Sequence, residues 1–230
     1  METRYYLDNA TFLVSTKCIV FGFKDKELYI LLTRRTVEPM LGEWSLMGGF
    51  VAEDENVEDA AKKTLYSYTQ QKDIHIEQVK TYGETDRDSG GRVISVAYYA
   101  LVCLEKFDAS LAKEHDAKWI NIKEIPELIF DHNEMLEDAL TLLRYKVSMQ
   151  PVIFKFFSEK FTLPALQSLY EAIYQKPTDK RNFRNKIASM DVLDRLDIKD
   201  TESSKRGAFY YIFNEEKYKA FLESDKCFSL

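Results

Sequence analysis

Two stretches of this 230-residue chain hold residues that could do chemistry. In the first, Gly48 to Gln70 ("GGFVAEDENVEDAAKKTLYSYTQ"), the acids Glu53, Asp54, Glu55, Glu58 and Asp59 gather between a double glycine and the start of a helix. Carboxylates are what a hard cation such as magnesium requires, with oxygens at about 2.0–2.1 Å. The acids end with the first turn, where the positive helix N-terminus favours them in any case. One turn further on stand Thr64, Ser67 and Tyr68, whose hydroxyls cannot supply the negative charge. The second stretch, "KPTDKRNFRNK", carries five basic residues against one acid in a chain of formal net charge −6. Arginine pairs bidentately with guanine, asparagine with adenine and lysine with phosphate, so this stretch suits duplex DNA.

The elements that must position these residues can be read from periodicity and turn chemistry. "TKCIVFGF" and "ELYILLTRR" are β-branched and aromatic runs flanking Lys24-Asp25-Lys26, which predicts a hairpin. "GEWSLMGGFV" continues as a strand and tight loop. Asn56 is a suitable N-cap, and Val57, Ala60, Ala61, Thr64, Leu65 and Tyr68 form one helical stripe. "HIEQVKTYGE" and "RVISVAYYALVCL" read as strands around the loop "TDRDSGG". "AKWINIKEIPEL" reads as a strand running into a turn, and 133–144 as a second amphipathic helix. Strands with interspersed helices describe an α/β sandwich. Beyond it, Thr162 caps a helix that buries Leu166, Leu169, Tyr170 and Ile173. "QKPTD" breaks that helix, and another packs on Phe183, Ile187 and Met190. "VLDRLDI" and "AFYYIF" then form a ribbon, and "EEKYKAFLE" a closing helix. Helix, turn, helix and two-stranded ribbon is the order of a winged helix-turn-helix.

Charge agrees with two domains of different task. Residues 151–230 hold 14 Lys and Arg against 12 Asp and Glu, and the first 150 hold 18 against 26. A division at residue 150 is expected. Apolar residues at 45% permit a proper core, and no apolar run is long enough to span a membrane. Cys18, Cys103 and Cys227 are odd in number and widely spaced, which suits reduced thiols and a cytoplasmic location. The three histidines stand apart from one another and from any cysteine pair, so no structural zinc is expected.

"GEWSLMGGF", Glu55 six residues after Gly49, and "VEDAAKKTL" resemble a Nudix domain, whose box runs G-x5-E-x7-R-E-U-x-E-E-x-G-U with U bulky and apolar. Gly49, Glu55 and Leu65 match. Lys63 replaces the arginine, Thr64 the first helix glutamate, Ser67 and Tyr68 the glutamate pair, and Gln70 the final glycine. Such a box followed by "FTLPALQSLYEAIYQKPTDKRNFRNKI" resembles the Nudix-related transcriptional regulators of bacteria. The resemblance implies a Nudix-like α/β/α sandwich over 1–150 that binds a small effector and dimerises, and a winged helix-turn-helix over 151–230. It implies a homodimer on a palindromic double-stranded operator, with no catalytic residues, metal or cofactor. Lys180, Arg181, Asn182, Arg184 and Asn185 are the expected DNA-binding residues of the second helix, with Ser204, Lys205 and Arg206 at the wing tip.

Some members of this group sense ADP-ribose and control NAD metabolism, and others regulate sugar use. A diphosphate effector calls for cations, which Arg34, Arg35, Arg87 and Arg92 could supply. A neutral sugar calls for carboxylates, amides and an aromatic face; Glu43, Trp44, Glu84, Asp86, Asp88 and Tyr98 offer such groups near the expected pocket, and with Arg92 they form the expected effector site. Overall similarity to the pentose-responsive branch makes L-arabinose the first expectation and ADP-ribose the alternative, in a repressor of carbohydrate metabolism genes. Two other classes stay open, an active Nudix pyrophosphohydrolase using the loop acids and a binding module that contacts protein rather than DNA.

Overall fold

A computed structural model of the chain describes residues 8–71, 74–106, 116–157, 160–201 and 207–224. By their contacts the residues fall into two compact units. The first holds the sequence up to Ala139 except for two short segments; the second takes Leu140 onward with Gly22–Tyr29 and Leu101–Lys106. Among the described residues, no helix is long and apolar enough to cross a membrane.

The first unit is built on a mixed-length sheet. Its strands are β1 (Leu13–Lys24), β2 (Glu27–Arg34), β3 (Trp44–Ser45), β4 (Met47–Phe50), β5 (Ile76–Tyr82), β6 (Val93–Cys103) and β7 (Ala117–Asn121). The order is β3-β2-β1-β6-β5, with β4 added to β1 and β7 to β2. The expected hairpin is present. Asp25 and Lys26 both take positive φ, 50° and 67°, the twist that a tight two-residue turn between strands demands. Ile19, Val20, Phe21, Leu28, Ile30, Leu31 and Leu32 are fully buried on these central strands.

Helix α1 (Val57–Thr69) covers one face of the sheet through Ala60, Ala61 and Leu65. The Cys18 thiol reaches the Ala61 carbonyl at 3.4 Å, and burial pushes it up to about 12, well above the ordinary thiol value. Because strand side chains alternate, the neighbouring Lys17 points to the opposite face. There α2 (His132–Met149) begins, five residues longer at its C-terminal end than the helix expected over 133–144.

The second unit contains the short α3 (Val152–Lys155), β8 (Phe161–Thr162), α4 (Leu163–Tyr174), α5 (Lys180–Met190), β9 (Leu193–Asp200), β10 (Ala208–Phe213) and α6 (Glu215–Glu223). Its sheet has three strands in the order β8-β10-β9, one more than the expected ribbon. The added strand is only Phe161–Thr162, pairing with Tyr211 and Tyr210; Thr162 also caps α4, accepting the Ala165 N–H at 3.3 Å. Two roles on one residue hid the strand from a pattern reading. Stacked rings of Phe154, Phe161 and Phe213 join Leu166, Leu169, Ile173, Phe183, Ile187 and Met190 in the core. An α/β sandwich followed by a winged helix is therefore the architecture.

Candidate functional site

The loop 51–56 leads into α1, and hydrogen bonds and an ion pair occupy polar groups along it. Glu55 accepts the Ala52 N–H at 3.4 Å and meets Lys63 Nζ at 3.3 Å, so an ion pair ties the loop to α1. Gln70 ends α1 in the left-handed region at φ 54°, where glycine would sit without strain, and its N–H closes on the Tyr66 carbonyl. The Ser67 hydroxyl donates to the Thr64 carbonyl at 2.7 Å, and the Thr64 hydroxyl lies beside Gly49. Asn56 holds the N-cap position, but its side chain donates to Asp59 rather than capping the helix. Among the described residues, no group of three or more His, Cys, Asp or Glu is placed to hold a metal ion. This donor set does not fit the magnesium that a Nudix fold implies.

At the end of β5 and the start of α2 lies a cavity of about 570 Å³, within the ~300–1,000 Å³ usual for ligand pockets. It is lined by Met40, Phe130 and the segment from Lys80 to Ser89, together with Asp131 and Glu134. Arg87, with 2% of its side chain exposed, forms a two-pronged bond to Asp131, both contacts at 2.7 Å. Lys80 pairs with Glu134 and Asp138, and the Tyr82 hydroxyl donates to Asp138 at 2.8 Å. The remaining lining carboxylates, Glu84 and Asp86, are solvent-exposed and can accept hydrogen bonds from a ligand's hydroxyls.

The sequence-derived candidates separate at this point. Glu84 and Asp86 line the cavity. Arg92 donates to the Gly83 and Glu84 carbonyls at 2.7 and 2.9 Å, and Asp88 accepts the Gly90 N–H at 2.8 Å; both shape the loop that carries the lining residues. Trp44 lies under the Arg34 guanidinium at 3.8 Å and does not line the cavity. Neither does Tyr98, which is buried, its hydroxyl pushed up by that burial and then by Glu58 of α1. Glu43 is exposed in the preceding loop, where its carbonyl accepts the Arg35 N–H.

Two residues that the motifs did not single out lie near Arg87. Lys17 lies across Gly48 of the paired strand β4, where a Cβ would come within 2.3 Å of the Thr16 carbonyl oxygen and 2.7 Å of Lys17 Cδ. Burial first, and then the nearby Arg35 and Arg87, lower its ammonium from the ordinary lysine value to about 8. His132, fully buried, accepts the Leu46 N–H on Nδ1 at 3.2 Å, which places the proton of the neutral ring on Nε2. Burial, then Lys17, Arg87 and Arg35, hold it well below the usual histidine range. Strand alternation alone could have flagged Lys17, a cation on an inward-facing position of a central strand.

In the second unit, the N-cap Asp179 accepts the Asn182 N–H at 2.8 Å and starts α5. Phe183, Ile187 and Met190 face inward. Lys180, Arg181, Asn182, Arg184, Asn185 and Lys186 are all exposed, so the helix presents one continuous basic and amide face. The turn before it is held by Glu171, whose Oε1 accepts the Thr178 N–H and hydroxyl at 2.8 Å each and Gln167 Nε2 at 3.0 Å. The expected wing residues Ser204, Lys205 and Arg206 lie outside the described residues.

Residues 11–139 match the NUDIX domain family, and residues 153–213 match the NrtR DNA-binding winged helix domain. The structure of Shewanella oneidensis NrtR complexed with a 27mer DNA superposes with a TM-score of 0.77 at 32% identity, covering 90% of this chain and 95% of that one. The chain belongs to the NrtR family. The ADPR responsive transcriptional repressor NtrR of Acinetobacter baylyi, a further relative, is 28% identical over 210 residues, 90% of this chain and 84% of its own. The NUDIX domain of Shewanella oneidensis NrtR complexed with ADP ribose superposes at a TM-score of 0.54 with 30% identity, over 61% of this chain and 94% of that one. In NrtR terms, the cavity and cation cluster lie within the Nudix match, and α5 lies within the winged helix match.

Proposed function

We propose that this protein is a transcriptional repressor that binds operator DNA through α5 and its wing and answers to ADP-ribose held in a non-catalytic Nudix domain. The observation that carries the reading is likeness in both halves to one relative, solved with a 27mer DNA and, for its NUDIX domain, with ADP ribose. The cavity supports it chemically. Glu84 and Asp86, in the lining, offer acceptors to ribose hydroxyls, and Arg35, stacked over the lining ring of Phe130, offers a cation to a diphosphate. The pentose effector, L-arabinose above all, has no counterpart in these relatives, so the ADP-ribose alternative is preferred. An effector domain over 1–150 and a DNA-binding domain over 151–230, joined in a homodimer, complete the reading. The two family matches fall on either side of that boundary.

Calorimetric titration of the full chain with ADP-ribose and with L-arabinose tests the effector. Heat with ADP-ribose alone is expected, and heat with the sugar alone would reverse the choice. The same ADP-ribose samples, incubated with magnesium, should be recovered intact. Turnover in the ordinary enzyme range of about 1–10³ s⁻¹ would make the protein a hydrolase instead.

A further inference from the structure

Helix α2 runs unbroken from His132 to Met149, and it contains no glycine or proline at which it could kink. By contacts, its residues up to Ala139 belong to the first unit and those from Leu140 onward to the second. Met135, Leu136, Ala139, Leu143 and Val147 form one buried stripe along its length. Its first turns meet the cavity. Glu134 is in the lining, and Asp138 accepts from the Tyr82 hydroxyl and pairs with Lys80, both of which also line it. Arg144, about 15 Å along the axis from Glu134, holds the end of α4. Its Nε–H donates to the Ile173 carbonyl at 3.0 Å, one of the last carbonyls of α4, which lack partners within the helix. The Tyr174 hydroxyl donates back to the Arg144 carbonyl at 2.8 Å. The Tyr174 ring stacks on Tyr170 with centroids 4.5 Å apart, and Tyr170 packs on Phe183, an inward-facing residue of α5, at 5.5 Å. These bonds and ring contacts, all within the second unit, lead without a gap from α2 to the helix with the basic face.

We infer that α2 transmits the state of the cavity to α5, with Arg144 and Tyr174 as the positioning residues that make α4 and α5 follow it. The inference rests on reading the cavity as the effector site and α5 as the reading helix. A ligand touching Glu134, or disturbing the Lys80–Asp138–Tyr82 group, displaces a rigid rod. Helix shifts of about 1–2 Å are the usual scale of such switches. A shift of about 1 Å in α2 alone would stretch both bonds between Arg144 and the end of α4 beyond hydrogen-bond range, so α4 is drawn along. The Tyr174–Tyr170–Phe183 rings then carry α5 with it.

The test measures operator affinity of the full chain with and without saturating ADP-ribose, on a duplex selected by the parent chain from random sequence. ADP-ribose should weaken the parent's DNA binding ~5–150-fold. In the Tyr174→Phe/Arg144→Met double variant that factor should fall below about twofold, with ADP-ribose bound as tightly as by the parent. The parent's factor retained in the double variant would overturn the inference, and a lowered melting temperature beside it would assign the pair to packing alone. A second measurement needs no ligand. Asp138→Asn loosens the cavity end of α2 from Lys80, and its effect on operator affinity is compared in the parent and in Tyr174→Phe. Asp138 lies about 9 Å along the axis from Arg144, and groups so far apart with no shared partner combine additively to within about twofold. A departure from additivity of at least about threefold is expected, and additivity would overturn the inference. Should ADP-ribose give no heat, or leave the parent's DNA binding unchanged, the effector reading falls and this cycle alone decides whether α2 transmits.

Discussion

Arg181 and Arg184 stand on the exposed face of α5, three residues apart and so on one side of the helix. If either reads a base edge, Arg181→Ala or Arg184→Ala should cost about 1–3 kcal/mol of operator affinity and relax the sequence preference at one position. Lys180 and Lys186 flank them and are suited to phosphate. Their loss should weaken binding to every duplex and flatten its salt dependence. Electrophoretic mobility shifts at two salt concentrations separate these outcomes. Unchanged affinity in the Arg181→Ala/Arg184→Ala double variant would rule out α5 as the reading helix. At this scale much was legible beforehand, because exposure on a helix follows from the spacing of Phe183, Ile187 and Met190. The pairing of Arg87 with Asp131 was not legible, since 44 residues separate them and nothing local marks either as the other's partner.

At the scale of elements, the turn between α4 and α5 depends on one carboxylate. Burial raises the Glu171 pKa, but the bonds from Thr178 and Gln167 and the nearby Lys180 outweigh it and leave the group below its usual range. A depressed carboxylate contributes stability that is present above the ordinary glutamate value and lost as pH falls through the folded value. Glu171→Gln should therefore be less stable than the parent at neutral pH, with the difference closing in acid. Urea midpoints at several pH values would show the convergence. A difference independent of pH would mean that the charge is not what holds the turn. The same variant should weaken DNA binding without touching any DNA contact, because α5 starts one residue after that turn. Elements themselves followed their local signals closely. The exceptions were β8 and the four-residue α3, too short for a periodicity, and the last turn of α2, where Tyr145–Met149 has no stop signal before Pro151.

For the molecule as a whole, effector and operator are linked if the proposed function holds. A ligand shifts a DNA-binding equilibrium only by its differential affinity for the two states. Coupling of about 1–3 kcal/mol would change operator affinity ~5–150-fold, and the operator must weaken ADP-ribose binding by the same factor. Titrations of ADP-ribose with and without operator duplex check this directly. Equal affinities in the two would exclude control of DNA binding by that ligand.

What the amino-acid order determined alone was local: the hairpin, the caps Thr162 and Asp179, and the basic face of α5. Each of these rests on interactions between residues a few positions apart, and such spacing is written directly in a sequence. Only the tertiary structure decided which charges become neighbours. Lys17, Arg35, Arg87, Asp131 and His132 come from four separate segments, and the fold brings them near one another. The depression of Lys17 and the neutrality of His132 follow from that convergence, because desolvation and charge repulsion depend on neighbours in space rather than along the chain.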